Sequence, residues 1–238
     1  VNVKSLRMDR QIGRPVLIEF WDFCRPNSMR TLPYLKAWHE RYGELDAVET
    51  GAAAKTGLQV IGIHSPGFEP ARERGAVEEA VARLGIGYPV LLDPDLEMWQ
   101  EYENQGWPAR YLFDQRGILF DYHYGEGAYR ETELAIQELL GIEREPLDPL
   151  RPEDEPDAQL VPQSEDREGA YSGPYEAGGV WAVLDGEGTV LVNGTELTVS
   201  SPGAYPLIEH DRHTAGALEL EVSPRVQCLA TCFTPGTL

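Results

Sequence analysis

The stretch "VLIEFWDFCRPNSMRTLPYL" (residues 16–35) opens on a short apolar run and passes straight into a helical pattern. "VLIEFW" lacks a two-residue alternation, which is how a strand buried on both faces reads. In the following "SMRTLPYLKAWHERY" (residues 28–42), Leu32, Leu35 and Trp38 recur at helical spacing, and Pro33 inside the pattern predicts a kink. The join between strand and helix carries a single thiol, Cys24, followed by Arg25, Pro26, Asn27 and Ser28. A thiol at the positive end of a helix and beside an arginine has its pKa lowered and becomes a nucleophile. A cysteine at the end of a buried strand is equally well a small core residue, and both readings stand at this point.

Outward from this join the chain alternates. "GLQVIGIH" (57–64) and "YPVLLD" (88–93) read as buried strands, while "AVEEAVARLGI" (76–86) and "DLEMWQEYE" (95–103) read as helices. Such alternation implies a parallel sheet core. "ARYLFD", the turn "QRG" and "ILFDYHYG" (109–125) read as an antiparallel hairpin, and "YRETELAIQELLG" (129–141) as an amphipathic helix stopped by glycine. From residue 142 to 179 the chain turns acidic and proline-rich, the composition of a linker or an extended wrap. Beyond it, short apolar segments are separated by Asp-Gly, Asn-Gly and Pro-Gly turns, which predicts a small antiparallel sandwich. The expected organisation is an α/β domain over 1–141, the acidic segment over 142–179, and a small all-β, jelly-roll-like sandwich over 180–238. Leu147, Leu150, Leu160, Val161, Tyr171 and Tyr175 are spaced as anchors along the acidic segment. With them, the sandwich is expected to dock on the first domain, because so short a domain is marginal alone.

The 238 residues carry a formal net charge of -20, which repels nucleic-acid phosphates and anionic lipid headgroups alike. Neither nucleic acid nor membrane is an expected partner. No apolar run approaches the roughly 20 residues of a membrane span. The amino-terminal "VNVKSLRMDRQ" lacks the apolar middle of a signal peptide. A first residue of Val leaves a removed leader compatible with the sequence. The three cysteines, Cys24, Cys228 and Cys232, are too few for a disulfide framework and suit a reducing, cytoplasmic compartment. On one strand, Cys228 and Cys232 would share a face roughly 13 Å apart at 3.3 Å per residue, beyond disulfide reach.

The order strand, helix, strand, helix, strand, helix, hairpin, helix resembles the thioredoxin fold in its TlpA-type branch. "VLIEFW" is similar to the strand before the active site, "RTLPYLKAWHERY" to the active-site helix, and "GWPARYLFDQRG" to the cis-proline loop and hairpin. "RTLPYLKAWHERY" and "HYGEGAYRETE" resemble most the soluble carboxy-terminal portion of DipZ-type proteins, which joins such a domain to a carbohydrate-binding-like β-sandwich. The resemblance implies descent from thiol-disulfide oxidoreductases or antioxidant proteins. It also implies a groove formed by Trp21, Trp107 and Pro108 that accepts an extended peptide or a protein thiol partner.

In that family the chemistry rests on a CxxC pair: one thiolate attacks a disulfide and the second resolves the mixed disulfide. An ungapped alignment from Phe20 to Pro33 puts Arg25 and Ser28 at the two cysteine positions, and this register is preferred. A gapped alignment instead matches "FCRPN" to "WCGPC", making Cys24 the nucleophile and Asn27 the replaced resolving thiol. Neither register leaves a dithiol, so any thiol chemistry rests on Cys24. The alternative is a redox-inactive protein that binds a peptide or carbohydrate. Peroxiredoxins require Pro at 17 and Thr at 21, where this chain has Leu17 and Trp21.

Trp181 and Tyr205 are candidate sugar-stacking aromatics on the DipZ resemblance, with packing as the competing role. His210 and His213 lie in a glycine-punctuated stretch similar to cupins. Two histidines are fewer than a cupin site needs, so neither a metal nor a cofactor is expected.

Overall fold

The computed structural model describes residues 1, 2, 6, 11–45 and 57–238. Most of the stretch read for a leader (3–5 and 7–10) and residues 46–56 of the 1–141 domain therefore lie outside the described residues. Strand β1 (Val16–Trp21) is buried along its whole length, as its unbroken apolar run requires. It runs parallel to β2 (Gln59–His64) and antiparallel to β4 (Ala109–Phe113). With β3 (Val90–Leu92) and β5 (Leu119–Tyr124) it forms a sheet of order β3-β2-β1-β4-β5. Helix α1 (Pro26–Tyr42) runs through Pro33 unbroken and buries Leu32, Leu35 and Trp38. Helices α2 (Arg74–Arg83), α3 (Glu97–Glu101) and α4 (Tyr129–Leu140) follow the expected order. Gly141 ends α4 in the left-handed region at φ 66°, where a side chain would be strained.

Polar bonds, more than the expected leucine anchors, fasten the acidic segment to the helices. The buried Glu133 carboxylate of α4 accepts bonds from Tyr42 Oη at 2.6 Å, Leu147 N at 2.9 Å, Arg41 Nη1 at 3.1 Å and Trp38 Nε1 at 3.3 Å. Tyr34 Oη donates to Asp154 Oδ2 at 2.8 Å and accepts from Leu150 N at 2.8 Å. Leu147 packs on the first core, and Tyr175 is buried within the sandwich. Leu150 and Leu160 are 56% and 52% exposed, so these two are not apolar anchors. Charged residues in this segment satisfy buried donors on α1 that would otherwise lose hydrogen bonds to water.

The remaining strands are β6 (Leu160–Val161) paired with β14 (Gly236–Thr237), a four-stranded antiparallel sheet in the order β11, β8, β13 and β7 (Arg167–Glu168), and a three-stranded one in the order β10 (Thr195–Val199), β9 (Gly188–Val192) and β12 (Leu220–Val222). The long strands are β8 (Gly173–Gly186), β11 (Gly203–Leu218) and β13 (Val226–Thr234). Strand β8 therefore begins before the apolar run expected from Val180. Its alternation divides two cores: Val180, Ala182 and Leu184 face the sandwich interior, while Trp181 and Val183 join the core of the first sheet and α1. A register shift in β13 between Cys228 and Ala230 corrects the expectation that Cys228 and Cys232 share a face. A bulge adds one residue and reverses the alternation. Cys228 packs with the sandwich core and Cys232 with the first.

Two outcomes follow from this packing. Trp181→Ala removes a large side chain from the shared core and is expected to cost about 3–5 kcal/mol. Because that core spans both halves, the loss should appear in one cooperative urea transition followed by far-UV and near-UV signals together. Separate transitions for helix and sandwich signals would contradict a shared core. The second concerns Glu19, which is fully buried on β1 with both carboxylate oxygens lacking a hydrogen-bond partner. Burial pushes its pKa up from 4.5 to about 8, against the pull of Arg110, whose Nε lies 4.0 Å away. An acid with a raised folded pKa supports folding below its unfolded value and loses that contribution as pH rises through the folded one. Stability should therefore decline between pH 4.5 and about 8. Glu19→Gln should flatten that decline in urea titrations at the two ends of the window, and an unchanged slope would remove Glu19 as its cause.

Candidate functional site

The start of α1 is the site that the sequence singles out. Arg25 is the N-cap in extended geometry (φ -107°, ψ 117°), Pro26 is the first helical residue, and Ser28 is the third. The two positions of the ungapped register thus sit on the first turn, where free N–H groups would stabilise a thiolate. Cys24 precedes both. Asn27 is exposed, whereas Ser28 is buried and its Oγ accepts the Asp22 N–H at 3.2 Å.

Cys24 is 0% exposed and belongs to the shared core. Of the two readings left open for Cys24, this placement is that of a small core residue. Burial pushes the thiol pKa up, the nearby Asp22 and Asp185 raise it further, and Arg25 and Arg83 oppose them. A thiolate there would be desolvated and would face carboxylates, the reverse of the environment that activates a cysteine. The cover comes from the sandwich: Ala204 N donates to Phe23 O at 2.9 Å, and Arg83 Nη2 donates to Pro202 O at 3.3 Å.

Arg25 fills the space at the helix start. Its guanidinium lies between two aromatic rings, 4.7 Å from the Phe68 centroid and 4.7 Å from that of Trp107. Such a cation between two ring faces gains from both quadrupoles. Trp107 stacks on Trp99 at 4.1 Å and donates its Nε1 hydrogen to Ser65 O at 2.8 Å, which fixes the ring. The Trp107–Pro108 peptide bond is cis. Trp21 departs from the expected groove: it is 2% exposed, with its ring edge against His64 at 5.0 Å. Its place on a strand buried on both faces leaves it in the core, so of the three groove candidates Trp107 lies against Arg25, Pro108 follows it through the cis bond, and Trp21 is a core residue.

The residue that organises these loops was not singled out in the sequence. Asp22 is fully buried; its Oδ1 accepts the Cys24 N–H at 2.8 Å and its Oδ2 the Gly67 N–H at 2.7 Å. His64 Nε2 lies 3.7 Å from Oδ1, and its ring stacks on Phe23 at 5.2 Å. A carboxylate following a buried strand was the available signal, since an ionised group is retained there only with donors around it. Ser65 and Asp93 form a neighbouring pair at 2.8 Å.

The sandwich candidates are placed elsewhere. Trp181 is 8% exposed and belongs to the shared core, the packing role that competes with sugar stacking. Tyr205 is half-buried, its hydroxyl donating to Ser201 O at 2.5 Å. His210 Nε2 pairs with Tyr175 Oη at 2.9 Å, and His213 Nε2 lies 3.9 Å from Glu176.

No family model matches the chain. It is 33% identical over 170 residues to Protein DipZ of Mycobacterium tuberculosis, an overlap of 69% of this chain and 22% of that protein. The chain therefore spans less than a quarter of the DipZ length. It is 24% identical over 127 residues to the thiol-disulfide oxidoreductase YkuV of Bacillus subtilis, covering 53% of this chain and 78% of YkuV. A solved thiol-disulfide isomerase from Corynebacterium glutamicum superposes with a TM-score of 0.50 at 21% identity, covering 59% of this chain and 89% of that one. At that identity the likeness is one of fold.

The electrostatics of Cys24 give a direct test. In the folded protein at neutral pH, Cys24 should resist alkylation by a small maleimide for hours and react at once in denaturant, as mass spectrometry of the peptide would report. Modification of the native protein at the rate of a free thiol would show that the sandwich does not cover it.

Proposed function

Because this chain belongs to the thioredoxin-like superfamily, in the thiol-disulfide oxidoreductase lineage but without the dithiol, we propose that it binds a segment of a partner protein and does not exchange disulfides with it. The observation that carries this reading is the helix start: Arg25 and Ser28, which the ungapped register sets at the thiol positions, lie at the N-cap and on the first turn, and Arg25 lies against both Phe68 and Trp107. The clamp keeps the turn before Pro108 in order without a thiol. An extended peptide, including one from a thiol-bearing protein, would lie along that turn. Thiol chemistry at Cys24 would require the β11 backbone at Ala204 to lift from Phe23. A cytoplasmic setting belongs to the same proposal, supported by three cysteines that are all free.

The expected outcome is negligible turnover in an insulin-type disulfide reduction assay. The double variant Arg25→Cys/Ser28→Cys should gain turnover, since it places a thiol pair on the first turn of α1 with the needed spacing. Asn27→Cys, which would pair with Cys24, should not, because Cys24 is covered. Reduction by the unaltered protein that Cys24→Ser abolishes would overturn the reading, and gain of activity by Asn27→Cys alone would favour the gapped register.

A further inference from the structure

Among the described residues, the outer edge of β5 has no strand beside it. Its apolar side chains are left in solvent: Leu119 is 47% exposed, Phe120 43%, Tyr122 57% and Tyr124 38%, with Ile118 beside them at 54%. An exposed apolar sheet edge is a template for pairing, and here the interior leads out to it. Ring contacts run from buried Phe20 to Tyr111 at 5.8 Å, from Tyr111 to Tyr124 at 6.1 Å, and from Tyr124 to Tyr122 at 5.5 Å. This aromatic row starts in the core of the sheet and stops in water.

We propose that β5 pairs with β5 of a second copy of this chain, antiparallel, about a two-fold axis at Tyr122. The backbone sets the permitted registers. Tyr124 is opposite Ala109, and the next residue, Gly125, donates its N–H inward to Pro108 O at 2.8 Å. Residues alternate in direction along a strand, so Tyr124 and Tyr122 turn their N–H and C=O groups outward. A two-fold at Tyr122 makes it a hydrogen-bonded pair with its own copy. It also sets Asp121 opposite His123 of the second copy. One step of the ladder in either direction instead sets Asp121 against Asp121 or His123 against His123. Of these registers only the one at Tyr122 gives the Asp121 carboxylate an imidazole as its neighbour: the first alternative opposes two carboxylates and the second leaves Asp121 facing Gly125. The Tyr122 register also carries the aromatic row across the axis. The net charge of -20 per chain works against association at long range, so added salt should strengthen the dimer.

Sedimentation velocity over a wide concentration series tests this. The unaltered chain should shift from monomer to dimer, more readily at high salt. Tyr122→Asp, which sets two carboxylates against each other across the axis, should lose the shift. His123→Glu sets Glu against Asp121 twice and should lose it too, while Asp121→Lys/His123→Glu should restore it. All three changes lie on an exposed strand, and unchanged circular dichroism melts would confirm that each variant folds. A chain monomeric throughout, a dimer surviving Tyr122→Asp, or a double variant that fails to restore the dimer would each overturn the proposal.

Discussion

Strand β8 is buried on both of its faces, and the rest of the molecule is arranged around that fact. Val180, Ala182 and Leu184 close the sandwich, while Trp181 and Val183 on the alternate face close the core over α1. A sandwich this small buries too little apolar surface to be stable with one face open to water. Sharing a core removes the deficit, and it binds the two halves into one packed body. The same contact brings β11 against Phe23 and seals Cys24. Stability of the sandwich and inaccessibility of the thiol thus have one cause.

At the start of α1 this thioredoxin-like fold carries no thiol pair. An activated cysteine needs solvent or positive charge around it. Cys24 instead has the buried carboxylate of Asp22 beside it and a sheet above it. The positive charge nearby belongs to Arg25, whose guanidinium is held by two rings beside the cis-proline turn. Asp22 ties the loop after β2 to the end of β1 by accepting N–H bonds from Cys24 and Gly67. The geometry of the loops is kept by these polar contacts and needs no disulfide chemistry.

Charge in this chain is more ordered than its composition suggests. Of its many acids, Glu133 and Asp154 are hydrogen-bonded to tyrosines of α1, and Arg151 Nη1 donates to Arg30 O at 2.9 Å. Buried donors on a helix surface lose water on packing and have to find acceptors. Acidic side chains and backbone carbonyls of the segment after α4 supply them. A stretch whose composition fits a linker or an extended wrap is, for that reason, part of the packed surface.

The sequence by itself determined the order of elements in the first domain. Unbroken apolar runs such as "VLIEFW" and helical spacing at Leu32, Leu35 and Trp38 are local patterns imposed by burial. It also determined that no dithiol stands at the helix start, since residue identity is enough for that. Tertiary structure decided the rest. Exposure of Cys24 depends on β11, about 180 residues away in sequence, touching Phe23. The faces of Cys228 and Cys232 depend on a bulge that their spacing does not encode. Trp21, expected in the groove, and Trp181, read either as a sugar platform or as a packing residue, both lie in the core, because an aromatic side chain looks the same in sequence whether it meets ligand or protein. Asp22 became legible only when the donors converging on it were in place, for a buried carboxylate is defined by its partners and those come from loops distant in the chain.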